Sequence, residues 1–317
     1  RDPNTAAPKN LESQFQDEAI LGFQQQLGPE WVLGAKLTWR KLRNAIDDVS
    51  DSDAIYRKAI ALGYPVVKSN VKGSYLFNPG RSNTFRISDG AGGYYDVPVT
   101  NADFGFPRLK RKYYGLDLSL EHPFDGKWQA KVLYTFSRSY GNTEGQVKSD
   151  IGQSDVSATQ DWDYASLMSY SNGAQSNDRK HVLKAFGSYQ ITPEFMVGAN
   201  IVLASGAPRS CLGYYGPGET SPAYSSPAYH WCGGEPSPPG TYRYPWQKTV
   251  SINAEYRPAF ADHKLAFNAT VYNVFNDTPV TSAYPYYGTK ANPRPRYNTP
   301  LYRATPRYVR LGVSYDF

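Results

Sequence analysis

Apolar and polar residues alternate along this chain in stretches that come in pairs. After Gly28-Pro29-Glu30, the residues Trp31, Leu33, Ala35, Leu37 and Trp39 alternate with Val32, Gly34, Lys36, Thr38 and Arg40. Strict alternation predicts a strand with one apolar and one polar face. Before that turn, Ala19, Leu21 and Phe23 share a face in a weaker version of the same pattern. The unit returns three times. Tyr114, Leu116, Leu118 and Leu120 lead into a turn at 123–127, and Trp128, Ala130, Val132, Tyr134 and Phe136 leave it. Leu183, Ala185, Gly187, Tyr189 and Ile191 precede Thr-Pro-Glu, and Phe195, Val197, Ala199, Ile201 and Leu203 follow. Val250, Ile252, Ala254 and Tyr256 enter the last turn; Leu265, Phe267, Ala269 and Val271 leave it. A lone strand, Tyr308 to Phe317, closes the chain with Val309, Leu311, Val313, Tyr315 and Phe317 on one face.

These nine strands are long, roughly 10–13 residues each, against about 5–6 in soluble sheets. Trp31, Trp128 and Phe195 stand immediately after turns, and Trp39, Phe136 and Leu203 lie on the same faces further along. That separation climbs roughly 20 Å on a tilted strand, the height of a barrel's apolar band, so Trp31, Trp39, Trp128, Phe136 and Phe195 are candidates for lipid-contacting aromatic girdles. The connections are lopsided: a few residues at one end, and the segments 43–108, 141–178, 207–245 and 276–305 at the other. Short turns at one rim and long loops at the other are normal for outer-membrane barrels. A soluble β-sandwich or adhesin domain is the competing reading of the alternation alone.

Composition agrees with a barrel. Of 317 residues, 40% are hydrophobic and 15% aromatic, with 27 Tyr against 2 Met, and the mean hydropathy is −0.58. No run of about 18 apolar residues exists, which excludes a transmembrane helix and leaves a membrane barrel open. Tyr and Trp in excess suit water–apolar boundaries. The net charge of +6 does not argue for nucleic acid. The opening "RDPNTAAPKN" has neither Met nor an apolar leader, so the chain reads as the C-terminal part of something longer.

Catalytic chemistry is hard to find. There is no HExxH, GxSxG, phosphate-binding loop or zinc-type Cys/His cluster, so no enzyme, cofactor or metal is expected. Cys211 and Cys232 share one Pro/Gly/Tyr-rich stretch and are expected to form a disulfide in an oxidising compartment, rather than a metal site with His230. "DDVSDSD" reads as a solvated acidic loop, with clustered carboxylates for Ca²⁺ as the alternative. "DGAGGYYD" reads as a tight turn in the first long loop, and His181 as a pore-facing or rim histidine. Arg108, Lys110, Arg111, Lys112, Arg303, Arg307 and Arg310 gather at the long-loop rim, where lipopolysaccharide phosphates fit better than nucleic acid. Two loops carry Tyr214, Tyr215, Tyr224, Tyr229 and Trp231, and Tyr284, Tyr286, Tyr287 and Tyr297. Such loops either bind a ligand or fold on each other to cap the barrel.

The stretches "YTFSRSYGNTEGQVKSDIGQSD", "TQDWDY", "NDRKHVLKAFGSYQITPEFMVGANI", "SGAPRSCLGYYG", "YNVFN" and "PRYVRLGVSYDF" resemble the C-terminal barrel part of Oar-like TonB-dependent receptors, from about Asn10 to Phe317. The resemblance implies an all-β, antiparallel arc of a 22-stranded plugged barrel in a Gram-negative outer membrane. It implies uptake or passage of a bulky ligand bound by the Tyr-rich extracellular loops, with an adhesin or surface-assembly protein as the alternative. It also implies that the plug, the earlier strands and the link to TonB belong to the rest of the same receptor. In such proteins the final strand ends on an aromatic residue read by the barrel-assembly machinery, a role that falls here on Val313, Tyr315 and Phe317. Nine strands cannot close as an even-numbered barrel, so the strand around Phe15–Leu27 is expected to pair with an earlier strand outside this sequence.

Overall fold

The computed structural model describes residues 3–145, 147–153 and 159–317. Residues 1, 2, 146 and 154–158 lie outside the described residues, so the second long loop and the motif that crosses it are described in part.

Nine long strands form one antiparallel meander in chain order. They are β1 (Phe15–Leu27), β2 (Trp31–Asn44), β3 (Arg111–His122), β4 (Trp128–Gly141), β5 (His181–Thr192), β6 (Phe195–Ala204), β7 (Gln247–Tyr256), β8 (Leu265–Tyr272) and β9 (Tyr308–Tyr315). Each of the four expected hairpins is present, and the lone final strand pairs with β8. Among the described residues the sheet is an open arc: β1 pairs with β2 alone and β9 with β8 alone.

Tight turns set the register. Gly28 turns the chain at φ +66°, a conformation that costs glycine little. At the second turn the Asp125 carboxylate accepts from the backbone N–H of Lys127 and of Trp128, at 2.8 and 2.9 Å. The ladder then lines up side chains of one kind across strands. Leu21, Leu37, Leu116, Phe136 and His181 form one row on the apolar face. Gly22, Lys36, Asp117, Thr135 and Val182 form the adjacent row on the other. The far side of the arc repeats the plan with Ala199, Ile252, Val271 and Val309. A one-residue slip would move Lys36 and Asp117 into hydrocarbon, so the register is strongly specified.

Aromatic residues line both rims of the apolar face. At the short-turn end His122 is buried, stacked on Trp128 at 3.8 Å, with Trp31 edge-on at 5.1 Å. Phe195 lies opposite Tyr256 at the same rim. At the long-loop end Trp39 shares a row with Tyr114, and His181 sits among Phe136, Tyr134 and Trp246. The Tyr134 hydroxyl lies 2.8 Å from His181 Nδ1, which makes His181 a rim residue and not a pore residue. Val313 and Tyr315 face outward from β9, and Phe317 is fully exposed beyond the strand end.

The hydrophobic core lies in the long loops and not in the arc. The first loop carries a helix, α1 (Ser52–Ala61), and a hairpin of Asn83–Ser88 with Tyr94–Val99. The first loop is thus a small folded unit in its own right. Ile55, Tyr75, Phe77, Phe85, Ile87, Val97 and Val99 are buried together, and Trp162 and Met168 from the second loop complete the cluster. The hairpin turn is the "DGAGGYYD" stretch, where Asp89 accepts from the N–H of Ala91 and of Gly93, at 2.8 Å each.

The two faces differ in a measurable way. In the whole membrane-embedded protein, Leu118→Arg on the apolar face should cost about 2–4 kcal/mol. Gln24→Arg, on the polar face, should cost far less. Denaturant unfolding in lipid vesicles checks both; equal losses would contradict the assignment of the faces.

Candidate functional site: the loop layer and the polar face

The long loops form one connected layer over the rim. Asp163 in the second loop ties three of them together. Its carboxylate accepts from the Ser50 hydroxyl of the first loop at 2.8 Å and from the Tyr224 hydroxyl of the third. Its carbonyl accepts from the N–H of Ser50 and of Asp51, at 3.2 and 3.1 Å. Burial pushes the Asp163 carboxyl up to about 7, against the lowering effect of the two hydroxyls.

The acidic run is structural rather than a solvated loop. Asp47 is buried, accepts from the Thr159 hydroxyl at 2.6 Å, and has its carboxyl held well above the usual range by burial. Asp48 is buried and accepts from Ser74. Asp51 caps α1, accepting from the Ala54 N–H at 3.0 Å, which satisfies one of the free donors of the first turn. Asp53 is ion-paired with Lys68 at the surface. No cluster of three or more metal-type side chains occurs among the described residues.

Cys211 and Cys232 are bonded to each other, with Cα atoms 5.6 Å apart. His230 is buried beside them in sequence, and burial with the nearby Lys148 charge drives its imidazole down to about 3, so it stays neutral. Lys148 is buried and ion-paired with Asp161 at 2.6 Å. Burial opposes its charge, yet Asp161 and Asp150 hold it above the ordinary lysine value. Asp150 in turn accepts from the Ser210 hydroxyl of the third loop at 2.6 Å. The Ser210–Asp150 hydrogen bond thereby joins the second loop to the third, while the ion pair braces the second loop and the disulfide closes the third on itself.

The tyrosines divide into two groups. Tyr229 and Trp231 are interior residues. The Tyr229 hydroxyl accepts from the N–H of Ala223 and of Tyr224, at 2.8 Å each, and donates to the Tyr224 carbonyl at 3.1 Å. Tyr215 packs edge-on against both, at 5.8 and 5.7 Å. Tyr214, Tyr284, Tyr286 and Tyr287 remain partly exposed. Tyr284 lies edge-on to Tyr286 at 5.3 Å under the Arg296 guanidinium, and Tyr287 lies against Tyr297 at 5.1 Å. Leu212 pairs with Tyr286, so the third loop supports the fourth.

A second feature escaped the reading by motifs. The polar face holds an open cleft of about 830 Å³ lined by Gln24, Lys36, Asp117, Ser119, Thr135 and Lys184. Lys36 Nζ lies 3.1 Å from Asp117, which also accepts from the Thr135 hydroxyl at 2.6 Å. Continuous polar rows on one face of a membrane arc mark the surface turned away from lipid. The alternation already carried this signal, at the residues between the apolar ones. The basic collar also divides by face: Lys112 is on the apolar face, whereas Arg111 donates to the Glu144 carbonyl and Arg310 lies opposite Thr270 on the polar face.

Two tests address the layer. Replacing both cysteines by Ser should loosen the third loop by roughly 3 kcal/mol on the chain-entropy estimate, read as faster proteolysis within residues 212–231 with the strands intact. The pH test follows from Asp163. The folded state holds its proton more tightly than the unfolded chain does, so its contribution is present in full below the usual carboxylate range. That contribution is lost as pH rises through about 7. Moving from pH 8 to pH 5 should therefore stabilise the layer by about 2–3 kcal/mol through Asp163, and Asp163→Asn should remove that share, leaving the dependence that buried Asp47 adds in the same direction. Hydrogen exchange across 219–230 reads it; a layer that loosens on acidification over this range would contradict the assignment.

No family model matches the chain. It is 24% identical, over an alignment of 357 residues, to the TonB-dependent transporter Oar of Myxococcus xanthus; the match takes in 99% of this chain and 29% of that protein. The chain thus spans under a third of the relative's length. In fold it is similar to the outer-membrane transporter YddB of Escherichia coli, with a TM-score of 0.56, 14% identity, and coverage of 97% of this chain and 33% of that one. The FrpB iron transporter of Neisseria meningitidis gives a TM-score of 0.50 at 14% identity, covering 97% of this chain and 32% of its own. In sequence and in fold, the chain resembles part of an Oar-like TonB-dependent outer-membrane receptor, and its place is the outer membrane.

Proposed function

We propose that the chain is the C-terminal arc of a TonB-dependent receptor that takes up or passes a bulky ligand across the outer membrane. The observation that carries this reading is the open arc itself. Nine strands with unpaired outer edges and a polar cleft on one face need further strands to complete the ladder and a partner for the cleft. On this reading the rest of the same protein supplies both, as earlier strands of a 22-stranded barrel and as a plug through which TonB acts. The partly exposed Tyr214, Tyr284, Tyr286 and Tyr287 form the ligand-contacting surface on the extracellular side. Val313, Tyr315 and Phe317 present the final strand to the barrel-assembly machinery, and the basic rim meets lipopolysaccharide phosphates. A cross-braced loop layer also suits an adhesin, which would bind without energised passage.

The two readings part on energy. In cells carrying the whole receptor, accumulation of labelled iron chelates and peptides too large for passive pores should fall to the level of receptor-deleted cells when TonB is removed. Replacing Tyr284, Tyr286 and Tyr287 by Ala should weaken surface binding of the accumulated compound about tenfold. Surface binding with no TonB-dependent accumulation of any compound would favour the adhesin.

A further inference from the structure

Three cations stand on the apolar face, at the long-loop end, directly above a groove. Lys41 lies opposite Lys112, and Tyr114 lies opposite both Trp39 and Arg138. Alternation along β2, β3 and β4 therefore puts Lys41, Lys112 and Arg138 on the same side as the girdle aromatics. Lys41 and Lys112 have no ion-pair partner among the described residues. Arg138 Nε makes no hydrogen bond and is 3.7 Å from Asp178, which already accepts from Arg243 and from the Ser139 N–H. The other anion on this side, Asp17, is engaged by Arg43. The patch keeps a net positive charge where the protein surface meets the membrane.

Below the cations the face is not filled. A groove of about 440 Å³ runs between Leu21, Leu37, Trp39, Tyr114, Leu116 and Phe136, with Arg138 at its edge. Leu21 is 73% exposed, Leu37 54% and Tyr114 50%. Apolar walls under a cationic rim fit a molecule that carries phosphate and hydrocarbon together. The cations outnumber what one phosphate group needs, and the long-loop end of such a barrel is the outer leaflet.

We propose that this groove binds one phosphorylated, acylated glycolipid of the outer leaflet, with its phosphates on Lys41, Lys112 and Arg138 and an acyl chain against Leu21, Leu37 and Phe136. The inference deepens the lipopolysaccharide contact proposed above and rests on the outer-membrane placement, not on transport. It also relocates that contact. Of the basic residues expected at the rim, Lys112 belongs to the site, while Lys41 and Arg138 come from strands whose charges the motif reading passed over.

The test uses the whole receptor, extracted in mild detergent and stripped of lipid. It is titrated with bis-phosphorylated lipid A and with the dephosphorylated form, and bound copies are counted by native mass spectrometry. The phosphorylated form should bind at one site at least tenfold more tightly. Lys41→Gln, Lys112→Gln and Arg138→Gln should each weaken it about fivefold, in receptors that keep heat-modifiable migration. Ala19→Trp, which fills the groove without touching a charge, should weaken both forms. Millimolar inorganic phosphate should leave bound lipid in place. The comparison of the two lipids on unaltered receptor needs no variant. Equal affinity for both forms, displacement by inorganic phosphate, a preference for phosphatidylglycerol, or charge variants that bind as before would each overturn the proposal. Uptake is not read here, so its presence or absence is decided separately.

Discussion

The backbone hydrogen-bond ladder is the constraint on which the rest of the structure depends. A strand in hydrocarbon has no water to satisfy its N–H and C=O groups, so each must be bonded to a neighbouring strand. That requirement holds β1 to β9 in one antiparallel sequence. Once the ladder is fixed, each residue's position along a strand decides its face. Lys36 and Asp117 can pair because they fall on the same rung, and Leu37 and Leu116 can meet lipid because they occupy the next one. The apolar face, the polar cleft and the rim all follow from the same count.

The loops obey a different rule. Above the rim, water is available and the backbone is free to turn, so order comes from side chains. The first loop has enough Phe, Tyr, Ile and Val to bury a core of its own. The second and third contribute links instead: Asp163 to Ser50 and Tyr224, Lys148 to Asp161, Asp150 to Ser210 and the Cys211–Cys232 bond. Asp163 has a hydroxyl partner on each carboxylate oxygen, the condition under which a buried polar group holds rather than weakens a fold. On the proposed ligand-contacting role of Tyr284, Tyr286 and Tyr287, a layer braced in this way would leave them little entropy to lose.

The strands were legible in the sequence because the bilayer imposes alternation at every step of β2, β4, β6 and β8. The turns were legible because Gly28 and the Asp125–Lys127 segment carry turn chemistry, and the cysteine pairing because one loop held both. The loop layer was less legible. Ser50 and Asp163 are 113 residues apart, and no local pattern announces that an acidic stretch will be buried against another loop. Asp47 and Tyr229 look like surface residues by type, and partners supplied from elsewhere make them interior. Helix α1 gave only a short polar–apolar mixture, which its cap and its neighbours fix in place. The faces of Arg111 and Arg310 could have been counted from the alternation, since both sit between outward-facing residues.

Trp162 and Met168 close the core of the first loop, although two further strands lie between that loop and theirs. This placement gives assembly an order. The first loop can gather most of its aromatic residues by itself, but its last two wall pieces arrive only when β3 and β4 have been laid down side by side. Until then an apolar seam stays open at the rim; afterwards it is shut, and opening it again would mean exposing Trp162 to water. Withdrawing the β3–β4 hairpin from the folded protein would therefore uncover this core as well as break the strand ladder.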